Sequence, residues 1–413
     1  MKHNKTSLAV GLALALGSAS AAYAEMGFKA GDWDLTFSGN VNGFATWNKC
    51  DSTSTVVAGG LACSKGANGG VDEQAIESGL LPSALVFAGK SRQANLDVGV
   101  TLGFYPGITS SATGKRGIGA SSIDLRQNFL TFGDKSWGTV KVGRDIGLFA
   151  SDAILSDMTL LGVGSGAAFL GGNTTLGRIG VGYIYTDWIP QISYSSPNFG
   201  GLSAAVGAFQ GMDIFPFSGH PTSASVTGHE EPGFQAKASY EWKGQFGGKA
   251  WVSGMTQKAK ARTTDAAPPG ATVTGTGFDI GAKVGFGGLE GVVYAYSADG
   301  LGTTAIGFDA ASNVAGSLGK RKSSGGYVQA TYKIGAFKPG VSYGRSELKL
   351  AGNESTASSG TLVKTNKSWV IGLYYSLTPS LNLVAEYIPT QAENQAGGTV
   401  KDKATALGAI IFF

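Results

Sequence analysis

From Trp33 to Trp47 the chain alternates. Trp33, Leu35, Phe37, Val41, Ala45 and Trp47 occupy odd positions, and Asp34, Thr36, Ser38, Asn40 and Asn42 even ones, with Phe44 as the exception. The same period of two runs through Leu96–Phe104, Phe234–Trp242, Phe278–Phe286 and Trp369–Leu377. A period of two puts apolar side chains on one face and polar ones on the other, which is the signature of a strand. The pattern predicts an all-β chain with strands near 32–48, 82–90, 94–105, 123–133, 137–145, 178–196, 201–211, 233–243, 248–258, 276–286, 289–299, 324–334, 337–348, 367–377, 381–391 and 403–413. That is about sixteen strands; fourteen or eighteen are compatible with the same pattern.

The linkers between them alternate in length. Long ones fall near 49–81, 106–122, 146–177, 212–232, 259–275, 300–323, 349–366 and 392–402. Short ones include Ser91-Arg92-Gln93, Pro197–Gly200, Gly335-Ala336 and Thr378-Pro379-Ser380. No run beyond the N-terminal leader is apolar for long enough to cross a bilayer as a helix. The other way across is a closed barrel, which pairs every backbone group between strands. Short turns at one end and long loops at the other are the pattern of a transmembrane antiparallel up-and-down β-barrel, with its apolar face to lipid and its polar face to a wet lumen. An even strand count puts both termini on the short-turn side. Tyr and Trp gather at predicted strand ends, among them Trp47, Tyr105, Trp137, Tyr183, Tyr194, Tyr294, Tyr296, Tyr374 and Tyr387. That suits two interfacial girdles, because an amphipathic ring prefers headgroup depth.

The N-terminus adds a compartment. Lys2 and Lys5 precede the apolar run Leu8–Gly17, and Ala22-Tyr23-Ala24 has the small-x-small form of a cleavage site. Residues 1–24 are therefore expected to be a cleaved secretory signal, leaving 25–413 as one barrel domain. Of the 32 basic residues, Lys2 and Lys5 go with the leader, against 28 acidic ones. A near-neutral chain is not a nucleic-acid binder. Cys50 and Cys63 are the only cysteines. In an oxidising compartment a disulfide between them is expected, with two free thiols as the alternative. Closing so short a loop would contribute about 3 kcal/mol in the chain-entropy model.

Catalytic chemistry has few candidates. His3 leaves with the leader, so only His220 and His229 remain, both in one long linker beside Glu230 and Glu231. A solvated loop is the plain reading and a surface cation site the sharper one. Neither His lies on a predicted strand near a Ser or Asp partner, so a hydrolase is not indicated. No cofactor fingerprint and no metal-ligand spacing occurs.

The stretch 124–206 resembles the general (non-specific) porins of Gram-negative bacteria. The residues that carry the likeness are Arg126, the run Trp137–Arg144, Ser156-Asp157-Met158, Leu176-Gly177-Arg178 and the run Ile192–Leu202 with its Ser-Pro-x-Phe-Gly-Gly-Leu turn. The resemblance implies an outer-membrane channel for passive diffusion of small hydrophilic solutes and ions, and a homotrimer among outer-membrane lipid and lipopolysaccharide. The alternative is a channel selective for a small anion or sugar. It further implies that the third loop, about 146–177, folds into the lumen, where Asp157 on the loop faces Arg126, Lys141 and Arg178 on the wall as the constriction. A second family carboxylate would fall at Leu161 and a further arginine near Ala84; both are absent. By parity the lumen candidates are six basic residues, Arg126, Lys141, Arg178, Lys237, Lys283 and Lys333, against five acidic ones, Asp34, Asp97, Glu241, Asp279 and Glu386; with Asp157 alone on the loop they predict weak anion preference. Parity would then turn Ile179, Val181, Tyr183 and Tyr185 to lipid. The chain ends on a strand whose last residue is Phe413, which looks like the signal read by the outer-membrane assembly machinery.

Overall fold

The structure, a computed structural model, describes residues 26–51, 54–63, 72–108, 123–166, 174–214, 219–304 and 309–413. The predicted leader, and Phe169 and Leu170 of the predicted third loop, lie outside them. No helix among the described residues is long and apolar enough to cross a membrane.

The chain is a closed antiparallel barrel of sixteen strands. In order they are Trp33–Asp51, a second strand in two pieces (Glu73–Glu77 and Ala84–Gln93), Leu96–Pro106, Ile123–Asp134, Gly138–Ile146, Trp188–Ser195, Leu202–Phe209, Gly233–Trp242, Phe246–Lys260, Thr272–Phe286, Leu289–Asp299, Lys322–Tyr332, Phe337–Lys349, Val363–Ser376, Leu381–Asn394 and Thr399–Phe412. Each pairs with its neighbour, and the first closes on the last in the register Val41↔Ile411 and Trp47↔Thr405. A short strand, Met26–Ala30, pairs with Trp33–Phe37 and continues the row of the last strand beyond its end. Gly39 and Phe413 exchange both backbone hydrogen bonds, at 2.8 and 3.0 Å, and the Phe413 ring lies 5.8 Å from that of Phe37. Closure leaves no unpaired edge, which is what a strand structure needs where water is absent.

The alternation expected from the sequence is realised as two faces. Val100, Leu102 and Phe104 are exposed and Thr101 is buried. Phe44, the exception in the first strand, is on the buried face. Several rings predicted for interfacial girdles also turn to the buried face, among them Tyr105, Tyr183, Tyr294, Tyr296 and Tyr374, whereas Trp47, Trp137, Tyr194 and Tyr387 are exposed.

Two departures from the predicted strands have local causes. The sixth strand was expected over 178–196, but it is only Trp188–Ser195. Gly177, Gly180 and Gly182 have φ of +55°, +78° and +140°, conformations that glycine alone adopts freely, so the chain turns repeatedly here. The third connection therefore runs over 147–187. Ile179, Val181 and Tyr183 belong to it and are buried, not turned to lipid. The eighth connection was expected over 392–402 and is four residues, 395–398, because pairing persists to Glu393↔Thr399.

A third departure changes a face. In the fourth strand Gly103 pairs with Gln127 and Phe104 with Leu125, so Arg126 is the extra residue of a β-bulge. A bulge shifts side-chain parity by one. That is why Leu125 and Leu130 are exposed while Phe129 is buried.

Cys50 and Cys63 form the expected disulfide, with Cα atoms 5.3 Å apart. It ties the end of the first strand to the first long connection. The Cys63 N–H donates to Asp402 Oδ2 at 2.7 Å, which seats that connection on the last strand.

Candidate pore-lining site

The described parts of the connection, 147–166 and 174–187, lie against the buried faces of other strands. Their backbone is held by polar side chains that alternate with the exposed apolar ones. Gln235 Oε1 accepts from the N–H groups of Leu148 and Phe149 at 2.8 and 2.9 Å. Asp279 Oδ2 accepts from Ala150 N–H at 2.9 Å, and Tyr294 O–H donates to the same oxygen at 3.2 Å. Gln329 accepts from Met158 N–H at 2.8 Å and donates to the Ser156 carbonyl at 3.0 Å. Glu386 Oε2 accepts from both Val163 and Gly164 N–H at 2.8 Å, while Tyr374 O–H donates to Oε1 at 2.7 Å. A segment with little regular structure of its own must find partners for its backbone when buried. Here four side chains, each on a different strand, supply them.

The four residues predicted to act together fall into two clusters. Asp157 and Arg178 both belong to the connection, so Arg178 is not a wall residue. Asp157 caps a single helical turn, accepting from Thr159 N–H at 2.9 Å and from Tyr183 O–H at 2.7 Å. Arg178 is 0% exposed. It donates to the carbonyls of Val181 and Ser368 at 3.4 and 3.3 Å, and its Nε and Nη1 have no hydrogen-bond partner. The guanidinium passes over Gly344, where a Cβ would stand 2.3 Å from Nη2. These two residues brace the connection from within.

Arg126 and Lys141 form the second cluster, on the strands themselves. Arg126 Nε lies 2.8 Å from Asp124 Oδ2, and its guanidinium sits 5.5 Å from the Tyr105 ring centroid. Tyr105 O–H donates to Gln127 at 2.6 Å, and Gln127 donates to Asp145 at 3.1 Å. Lys141 pairs with Asp145 and lies 4.8 Å from the centroid of the Phe129 ring.

A third cluster was only partly visible in the sequence. Asp152, in the one-turn helix Ser151–Leu155, bridges Lys237 at 2.9 Å and Lys249 at 2.7 Å. Lys249 also reaches Glu241 at 3.4 Å. Beyond them Lys283 and Lys338 share one carboxylate, Glu290, at 3.8 and 4.0 Å. Lys237 and Lys283 were expected on the polar face by parity. Asp152 carried no motif, and Lys249 lies in a Gly-rich stretch where the alternation is weak.

Comparison with known proteins identifies the architecture. Residues 9–395 match the family model described as Gram-negative porin. The chain belongs to that family. This porin is accordingly an outer-membrane channel for passive diffusion and not an enzyme. Its barrel resembles that of the outer-membrane channel DcaP of Acinetobacter baumannii, with a TM-score of 0.69 and 17% identity over 94% of this chain and 99% of that one. It also resembles an anion-selective porin from Comamonas acidovorans (TM-score 0.58, 15% identity, 92% and 100% covered). OmpT of Vibrio cholerae is similar in the same way (TM-score 0.55, 13% identity, 94% and 100% covered). No curated protein sequence matches.

At the long-loop end of this porin, three connections are tied by buried charge. Arg321 grips Glu354 with two hydrogen bonds, at 2.9 and 2.6 Å, and donates to Ser223 at 2.9 Å. Its guanidinium and the hydrogen bonds around Glu354 hold that carboxyl at about 2, below its usual 4.5, against the opposing effect of burial. His220 is buried, not solvated. It makes hydrogen bonds to Thr222 and Thr361 at 2.9 and 3.0 Å, and burial beside Arg321 lowers its pKa. His229 pairs with Asp213 at 2.8 Å. Among the described residues, no group of acidic, His and Cys side chains could hold a metal ion.

Proposed function

We propose that this porin passes small hydrophilic solutes and ions through a water-filled lumen with a weak preference for anions, and that 147–187 is the segment that narrows the lumen. Asp157 and Arg178 hold the narrowing segment in shape. Arg126 and Lys141 on one side, and Lys237 and Lys249 around Asp152 on the other, line the path. The observation that carries the preference is the balance on these faces. Arg126, Lys141, Lys237, Lys249, Lys283 and Lys338 stand against Asp124, Asp145, Asp152, Glu241 and Glu290. Lys283 and Lys338 share a single distant carboxylate, so the surplus is positive there. A small surplus in a narrow low-dielectric passage is enough to bias ions. An anion-selective porin among the structural neighbours supports the same reading.

Export with removal of residues 1–24, assembly through the terminal Phe413, and a homotrimer embedded in outer-membrane lipid and lipopolysaccharide complete the proposal; a trimeric form of OmpT is among the similar structures. The test is the reversal potential of the purified protein in planar bilayers under a KCl gradient. A small potential of anion-selective sign, diminishing at high salt, is expected. Strong cation selectivity would overturn it.

A further inference from the structure

Gly344 lies on the buried face of the strand Phe337–Lys349, between the buried side chains of Ser342 and Ser346. In the register it stands opposite Tyr327 on one neighbouring strand and Ser368 on the other. All four of these residues carry side chains, so the glycine leaves a gap in a filled wall. The end of the third connection occupies that gap. A Cβ at Gly344 would stand 2.1 Å from the Val181 carbonyl oxygen and 2.3 Å from Arg178 Nη2. The φ of Gly344 is not positive. Glycine is therefore required here for space, where a second backbone comes close, and not for backbone freedom.

What fills the gap is backbone fixed in a turn. Ile179 N–H donates to the Leu176 carbonyl at 2.9 Å, Gly180 N–H to the Tyr183 carbonyl at 2.8 Å and Val181 N–H to the Arg178 carbonyl at 3.0 Å. The turn is fastened to the wall on each side of the gap. Gly182 N–H donates to Ser346 Oγ at 3.0 Å, and Arg178 Nη2 donates to the Ser368 carbonyl at 3.3 Å. Gly340, two residues nearer the start of the same face, makes a softer contact. A Cβ there would stand 2.7 Å from Met158 Sδ. A thioether turns aside at little cost; a carbonyl held in a hydrogen-bonded turn moves only with the turn.

We infer that Gly344 is a positioning residue for the channel: its missing side chain sets how close the third connection lies to the wall, and so how wide the passage beside it is. The inference rests on the reading of 147–187 as the narrowing segment. Ordinary contact begins at 3.4 Å, so a methyl group at 344 makes the Val181 carbonyl recede by about 1 Å. In a closed barrel, leaving the inner wall means approaching the axis. Glycine thus gives the widest passage and any larger residue a narrower one. Alanine is otherwise the easier residue to order in a strand, so propensity alone does not weaken the barrel.

The test compares G344A with G285A in the folded, full-length mature protein. Gly285 shares the parity of Asp279 and Lys283 on its strand, but a Cβ there meets nothing closer than 3.8 Å. Single-channel recording reads only inserted barrels, so a folding defect lowers the number of channels and not the size of each. G344A should lower the unitary conductance, and it should slow trisaccharide uptake into liposomes by a larger factor than monosaccharide uptake. G285A should match the wild type in both. Protection of the Gly182 amide from hydrogen exchange should fall about fivefold in G344A, the worth of one average hydrogen bond. A unitary conductance equal to or above that of the wild type would overturn the inference, and so would an equal loss in G285A. The amide separates the two ways of failing. An unchanged Gly182 rate refutes the seating of the turn at Gly344, whereas faster exchange with unchanged conductance refutes the narrowing role of the third connection.

Discussion

Glu386 offers the sharpest test of how the segment 147–187 is held. It is 2% exposed and lies on the buried face of the strand Leu381–Asn394. Its Oε2 accepts two backbone N–H groups at 2.8 Å, those of Val163 and Gly164. In E386A both donors lose their acceptor and the Tyr374 hydroxyl loses its own. Each hydrogen bond is worth between about 1 and 3 kcal/mol, according to whether the acceptor is charged. Two backbone bonds therefore contribute about 2 to 6 kcal/mol to local docking. The barrel ladder is untouched, and Gln329 and Asp279 still anchor the earlier part of the segment, so the loss is local. Amide hydrogen exchange should show it directly. Protection at Val163 and Gly164 should fall at least thirtyfold, the lower end of that range. Protection of Ala150, held by Asp279, should change little. Single-channel records should show added open-state noise with an unchanged heat-shift on gels. Val163 and Gly164 protected within about threefold of the wild type would refute the anchoring role.

Asp152→Asn should move the reversal potential toward anions by freeing Lys237 and Lys249, and Lys249→Gln should move it toward cations. Asp157→Asn and Arg178→Ala should shift selectivity less than Asp152→Asn while lowering hydrogen-exchange protection across 157–183, because both side chains are sealed from solvent; a larger selectivity shift from either would show that they meet the path. Reduction of the Cys50–Cys63 bond should leave the heat-shift of the barrel intact, and maleimide should label neither thiol in the unreduced, denatured protein. The Glu354 carboxyl has its pKa lowered by Arg321, so its contribution is present above about 4.5 and is lost as pH falls toward about 2; protease nicking in 350–362 should rise across that window and not between pH 6 and 8.

Strand positions were legible because a period of two is a local signal with a global cause. A closed barrel gives every strand one apolar face, so each stretch repeats the rule independently. The rule fails where the backbone, not the side chain, departs from it. Arg126 occupies a bulge, and a bulge has no sequence signature beyond the apolar residues it leaves on both parities, Leu125 and Leu130 here. The run 178–185 alternates as well as any strand, with Ile179, Val181, Tyr183 and Tyr185 in step. Its glycines at 180 and 182 read equally well as small residues on a polar face or as the left-handed turns they are.

Parity also cannot say what an inward side chain meets. Asp279 and Glu386 were placed on the polar face and counted among the charges that ions would encounter. Both are instead buried, and each gives one oxygen to the backbone of the third connection. Lys237 and Lys283, placed by the same rule, remain partly exposed. The difference lies in where the described parts of the third connection, 147–166 and 174–187, meet the strands, decided by contacts more than 80 residues apart in sequence, such as Phe149 with Gln235. One strand's alternation contains nothing about those contacts. The apparent near-neutrality of the polar face therefore mixes two populations, carboxylates used to dock the segment and lysines left beside the path. Removing the first population changes which groups are counted more than it changes the total, because Asp279 and Glu386 leave the acidic side while Arg178 leaves the basic one, and it makes the proposed ion preference depend on where the third connection lies, more than on the total charge on the strands.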